Sequence, residues 1–268
     1  PTATRVFGMV TVSAGAKNEN PDATGMAHYL EHLLFKGTTE LGTYDYQKEK
    51  PHLDSISILY EQLAKATNDE SRLSIQKQIN QQALKASKYG LPNEFDKLLK
   101  SIGSTGINAT TSYDRTTYYN SFPAHEMEKR LDIYSTRFRN PVFRSFQSEL
   151  EVVYEEKNRS MDNFERRIGE QVFKHLFPNS PYGQWSVLGI TDHLKNPSLL
   201  KMYEFFEKYY VSENMALVLS GNFKSGEVKP LISKTFKDFR TGSVVKEALP
   251  AIKPFDGIEK FNARITPA

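Results

Sequence analysis

The spacing of apolar positions along this 268-residue chain changes several times, and each change marks a new element. Val6 to Val12 alternates and carries β-branched residues, which predicts a strand. Residues 13–25 are small, polar and turn-forming. A helix is expected over about 25–35, with Lys36-Gly37 as its stop. Residues 44–101 have a different texture. Pro51 opens a helical pattern carrying Leu53, Ile56, Leu59 and Leu63, and Asn68-Asp69 breaks it. A second helix carries Leu73, Ile75, Ile79 and Leu84, and Gly90-Leu91-Pro92 ends it. The remaining faces are rich in Lys, Gln, Asn and Ser. This reads as a helical hairpin inserted between other elements.

Strand chemistry returns at 105–123. Residues 108–112 and 116–122 flank Tyr113-Asp114-Arg115 as a hairpin. Helices are expected at about 124–138, 145–161, 163–176, 197–211 and 227–239, with a short buried strand at 215–220. Strands come singly and as a hairpin, with helices between them, so the pattern is α+β. Tyr203, Phe205, Phe206, Tyr209 and Tyr210 form a core or interface stripe. The basic run from Lys129 to Arg139 reads as a solvated helix face.

Composition narrows the chemistry. There is no cysteine, which removes disulfide frameworks, zinc fingers, iron–sulfur clusters and thiol nucleophiles. The formal charge of +3 is too mild to call for nucleic acid, and no apolar run is long enough for a membrane span. The chain starts at Pro1 without a basic and apolar leader. It closes on a proline-punctuated stretch, Leu249 to Gly257. The expectation is a domain over 1–244, a linker over 245–268, and a longer parent protein.

The chemistry concentrates in Ala27-His28-Tyr29-Leu30-Glu31-His32. Four residues on a helix turn through about 400°, so His28 and His32 share a face and can grip one ion. Neutral imidazole is a good zinc ligand, and Glu31 beside it can take a proton from zinc-bound water. The order is H-x-x-E-H, the reverse of the common zincin spelling. A catalytic zinc needs a third protein ligand. Glu149 and Glu156, seven apart, lie on one helix face, with Val152 and Val153 near it; Glu151 and Glu155 fit an exposed acidic face. His52, His125, His175 and His193 have no partner at metal spacing and read as surface or capping residues.

The run from Gly25 to Thr38 resembles the signature of the pitrilysin/insulysin family of zinc metallopeptidases, which includes the mitochondrial processing peptidases. Three further stretches match in order: Ser13-Ala14-Gly15 with Glu19, Asn108-Ala109-Thr110-Thr111-Ser112, and Glu149, Val153, Glu156. The resemblance implies a mixed, largely antiparallel sheet packed with helices. It implies zinc held by His28, His32 and Glu156, with Glu31 as general base and Glu149 supporting catalysis. Asn108 and Ala109 would touch the backbone of a peptide substrate. It also implies a second homologous half, in the same or a separate chain, and a periplasmic or cell-envelope setting. Two departures stand out. His32 and Glu156 lie 124 positions apart, an excess the 44–101 insertion accounts for, and Thr105-Gly106-Ile107 replaces a double glycine. The alternative reading is a non-catalytic assembly homologue, which would be expected to lose motif residues that this chain retains.

Overall fold

The computed structural model describes residues 4–245, 248–251 and 254–263. Parts of the expected linker therefore lie outside the described residues. Within 245–268 the described ones form no helix or strand.

Four strands, β1 (Arg5–Val12), β2 (Thr105–Thr111), β3 (Thr116–Pro123) and β4 (Met215–Gly221), form one sheet in the order β2-β3-β1-β4. All three pairings are antiparallel. Alternation decides the faces. Val6, Val10 and Val12 point into the core with Tyr118 and Phe122, whereas Phe7 is 41% exposed on the open face. The strand expected to be buried, β4, is instead an edge. Among the described residues its one partner is β1, and Val218 is exposed.

Eleven α-helices surround the sheet's core face among the described residues: α1 (Met26–Leu33), α2 (Tyr46–Lys65), α3 (Asp69–Ala86), α4 (Glu94–Ser101), α5 (Met127–Arg139), α6 (Phe146–Asp162), α7 (Phe164–Leu176), α8 (Pro181–Gln184), α9 (Thr191–Lys195), α10 (Leu199–Tyr209) and α11 (Ser225–Thr235). Phe205, Phe206, Tyr209 and Tyr210 are buried, as the aromatic stripe predicts. The basic stretch on α5 departs from expectation. Lys129 is exposed, but Arg130 and Arg137 are fully buried, because positions 130, 134 and 137 share the stripe that faces the sheet.

The insertion is a hairpin of α2 and α3 with a pinched neck. Thr43 bridges Gly90, and the Tyr44 N–H donates to the Tyr89 carbonyl at 2.7 Å. Helix α2 starts before Pro51 because Asp45 caps it, accepting from the Lys48 N–H at 3.2 Å. Ile56, Leu59, Tyr60, Leu63 and Ile79 pack into the main core, whereas Leu73 and Leu84, on the outer face of α3, are exposed. Helix α4, unmarked by any strong sequence signal, buries Phe95 and Leu99 in the main core and not in the hairpin.

Candidate metal centre

Helix α1 is anchored at its start. Gly25 caps it with φ +86°, a conformation that costs other residues but not glycine. Buried Glu19 accepts from the N–H groups of Gly25 at 2.8 Å and Ala27 at 2.7 Å. Glu19 thus satisfies two of the free donors at the helix start. Burial pushes the Glu19 carboxyl up to about 8, against the pull of those two donors. The loop before it lies tight on the strand hairpin: a Cβ on Gly15 would stand 2.2 Å from the Ser112 carbonyl oxygen.

Met26, Tyr29, Leu30 and Leu33 turn one stripe of α1 into the core. Leu30 and Leu33 have no exposed surface, and each contributes roughly 1.5–3 kcal/mol through burial. The opposite stripe, His28, Glu31 and His32, is left to face α6 and β2. Helix α6 is fixed at its first turn: the Tyr29 hydroxyl donates to the Phe146 carbonyl, and the Tyr60 hydroxyl donates to Gln147 at 2.6 Å. Val153 is fully buried behind Glu149 and Glu156, but Val152 is 43% exposed, so the apolar backing is narrower than the sequence implies. Glu151 and Glu155 point to solvent.

His28, His32 and Glu156 converge. His28 Nε2 is 3.4 Å from Glu156 Oε2, and His32 Nε2 is 3.7 Å from the same oxygen. One ligand atom from each residue lies within 4.8 Å of the others, and among the described residues this is the group so arranged. Zinc bonds of about 2.0–2.1 Å in a tetrahedron would put ligand atoms about 3.4 Å apart, so the donor set fits that ion. The other four histidines stay out of it. His52 contacts Gln82, His175 contacts Glu259, His193 Nδ1 meets the Thr24 N–H at 3.1 Å, and His125 is exposed.

The electrostatics divide the residues. Burial drives His28 down to about 3, so it stands neutral with a lone pair available. Burial also penalises charged His32, but the Glu149 hydrogen bond and the Glu156 and Glu31 charges outweigh it and raise His32. Burial raises the Glu31 carboxyl against the pull of Thr111 and His32. Burial would raise Glu149 too, but hydrogen bonds from His32 and Lys36 hold it below the usual carboxylate range.

Two residues here escaped the sequence reading. Lys36 Nζ lies 2.6 Å from Glu149 Oε1, while His32 Nδ1 lies 3.4 Å from Glu149 Oε2, so that carboxylate is gripped from both sides. The Thr111 hydroxyl donates to Glu31 Oε2 at 2.5 Å. The available signals were the place of Lys36 four residues after His32 and the alternation of β2, which turns Thr111 and Ala109 to the same face. Asn108 is exposed on β2, a strand with one partner in the sheet, and its side-chain oxygen accepts from the Ala109 N–H at 2.9 Å. Gly106, with φ +58°, sits in the register shift between Thr105 and Asn108 where the double glycine is missing.

The model of the insulinase family, peptidase family M16, matches residues 1–50 and 79–185, more than half of the chain. The chain belongs to that family. The gap in the match, 51–78, falls on α2 and α3, the inserted hairpin. A second model, the M16 inactive domain, matches residues 198–265. Among curated relatives, the zinc protease PqqE of Helicobacter pylori is 25% identical over 246 residues, covering 90% of this chain and 43% of that protein. A probable β subunit of the mitochondrial-processing peptidase from Arabidopsis thaliana is 23% identical over 258 residues, covering 93% and 38%. The chain thus spans about two fifths of the length of these relatives. Solved structures agree on the fold. The first half of the periplasmic protease PqqL from Escherichia coli aligns with TM-score 0.68 at 18% identity, covering 93% of this chain and 44% of that one. Pitrilysin aligns with TM-score 0.66 at 18% identity, covering 94% and 22%.

Proposed function

We propose that this chain is the metal-bearing half of a zinc-dependent endopeptidase acting on peptides or unfolded segments. The convergence of His28, His32 and Glu156 carries the reading. These three residues would hold the zinc, which when bound supplies a Lewis acid and an acidified water. Glu31 stands next to the ligands with one oxygen held by Thr111, so its other oxygen is left to take a proton and return it to the leaving amine. Glu149 Oε2 stands 3.4 Å from His32 Nδ1 and would hold the ring proton there, leaving Nε2 to ligate. An extended peptide would add along the free side of β2, beside Asn108 and Ala109.

The domain boundaries of 1–244 and 245–268 remain part of this proposal, as does a second homologous half that closes over the peptide. A cell-envelope setting draws on the periplasmic neighbour; no described helix is long and apolar enough to cross a membrane. The non-catalytic reading draws on the inactive-domain match at 198–265. The ligands and the base all lie outside that stretch, which favours the enzyme. The test compares wild type with Glu31→Gln in the full-length protein on an unstructured peptide. The variant should keep its zinc and lose turnover by a factor of about 100 or more. This chain alone should bind zinc but turn over poorly, because positioning from the other half is missing. Zinc loss in Glu31→Gln would make Glu31 a ligand and overturn the assignment.

A further inference from the structure

The buried arginines of α5 are used by nothing described so far. Arg130, Tyr134 and Arg137 have 0%, 0% and 1% exposure. Arg137 is covered on its faces: its Cζ stands 4.2 Å from the Phe35 ring centre and 3.8 Å from that of Phe95. Arg130 stacks on Tyr134 at 3.7 Å, and Gly8 of β1 leaves room for it, since a Cβ there would stand 2.8 Å from the guanidinium. Ring faces offer cation–π attraction, but they accept no in-plane N–H.

The edges of both guanidiniums are the unusual feature. Arg130 Nε donates to Asn120 Oδ1 at 3.3 Å. Both terminal nitrogens of Arg130, all three nitrogens of Arg137 and the Tyr134 hydroxyl are buried without a partner among the described residues. The three groups converge, because both guanidinium carbons lie within 5.1 Å of the Tyr134 ring centre. Burial works against the charged form of both arginines, and the Tyr134 hydroxyl, within reach of both guanidiniums, offsets that only in part. The carboxylate that acts on Arg137 is Glu31, through space, and one of its oxygens is engaged by Thr111.

Arginine does not give up its proton in a protein interior. Two guanidiniums on one helix stripe therefore bring two positive charges into the core. Water could satisfy the N–H groups but would leave two positive charges with Glu31, acting on Arg137 alone, to offset them where the dielectric is low. A small anion does both, and with the ring faces blocked it can approach only in the guanidinium planes, where the unpaired donors point. We infer that Arg130, Tyr134 and Arg137 enclose a buried monovalent anion of the halide class. The anion joins α5 to the sheet by neutralising the arginines that pack beneath Gly8 and Tyr118. The site is built from residues other than the metal ligands and holds whether or not the chain is a peptidase.

The test uses the full-length protein with sodium bromide in place of sodium chloride. Crystals grown in bromide and measured at the bromine edge should show one ordered bromide within hydrogen-bond distance of Arg130 or Arg137 nitrogens and the Tyr134 hydroxyl. In solution, the thermal midpoint in chloride should exceed that in gluconate at matched ionic strength by about 3 °C or more. Arg137→Met should abolish that difference. If that variant does not fold, Tyr134→Phe removes one donor and should weaken the chloride dependence severalfold. Water alone at the bromine-edge position, or equal midpoints in chloride and gluconate, would overturn the inference.

Discussion

Helix α1 and the α2–α3 hairpin are both helical, both packed on the same core, and built on opposite principles. In α1, eight residues long, Glu19 holds the first turn, Thr111 holds Glu31, and Glu149 and Lys36 stand behind His32, while His28 Nδ1 is buried without a hydrogen-bond partner among the described residues. The hairpin, more than forty residues from Asp45 to Gly90, is held by an apolar seam, a pinched neck, a few hydrogen bonds at its flank from Tyr60, Glu61 and Arg72, and one buried ion pair. That pair joins Glu49 to Arg144 just before α6, with Arg144 Nε 2.8 Å from Glu49 Oε1. Its outer surface is polar, with Leu73 and Leu84 left in solvent. The family model passes through α1 and skips much of the hairpin. Dense polar satisfaction marks where atoms must be held to a fraction of an ångström, and a single seam marks where only docking is required.

The largest effect should come from α6, the partner of α1. Glu156→Gln should remove most bound zinc, since an incomplete ligand set holds the ion weakly. Glu155→Gln, one position away and exposed, should leave zinc content as in wild type. Elemental analysis of the two purified variants checks both, and the reverse pattern would move the ligand to Glu155.

An intermediate effect concerns pH. His28 is already neutral, because burial has lowered it to about 3. His32 is raised above 6.5, chiefly by Glu149 once burial is overcome, so the free site carries a proton that zinc must displace. Zinc affinity should therefore fall about tenfold per unit as pH drops below the raised His32 value. Glu149→Gln removes the main support for charged His32 and should move that bend to lower pH. A titration by calorimetry at several pH values would show it; an unmoved bend in the variant would detach Glu149 from His32.

The smallest effect on zinc should come from the hairpin. Replacing residues 46–88 by a brief linker joins ends that already touch at Thr43 and Gly90. Arg144 must be changed to Met in the same variant, because removing Glu49 alone would strand a buried charge. Zinc content should be unchanged, whereas thermal stability should fall, because Ile56, Leu59, Tyr60, Leu63 and Ile79 leave the main core. Loss of zinc would mean that the hairpin shapes the site through Tyr60 and Gln147.

Much of this contrast is legible in the sequence, and the limits are physical. Periodicity places the strands and most helices because one-sided burial writes itself into spacing. The 28-31-32 cluster is local, so helix geometry alone puts its side chains together. Lys36 and Thr111 were not seen in their roles because they act across elements, and periodicity carries no information about which faces meet. Arg130 and Arg137 were read as solvated because charge predicts exposure on average, whereas their stripe was set by Leu131, Tyr134 and Phe138 beside them. Helix α4 was hidden by its length and by the polar residues around Phe95 and Leu99.

The central claim is that two imidazoles from α1 and one carboxylate from α6 form a zinc site. X-ray absorption at the zinc edge, on full-length protein loaded with one equivalent of zinc, tests it most directly. The account predicts a first shell of two imidazole nitrogens with carboxylate and water oxygens at about 2.0–2.2 Å, and in His28→Ala the loss of that shell, most of the added zinc then showing the all-oxygen shell of the hydrated ion. A shell of oxygens alone in the wild type, or a wild-type spectrum unchanged by His28→Ala, would contradict it.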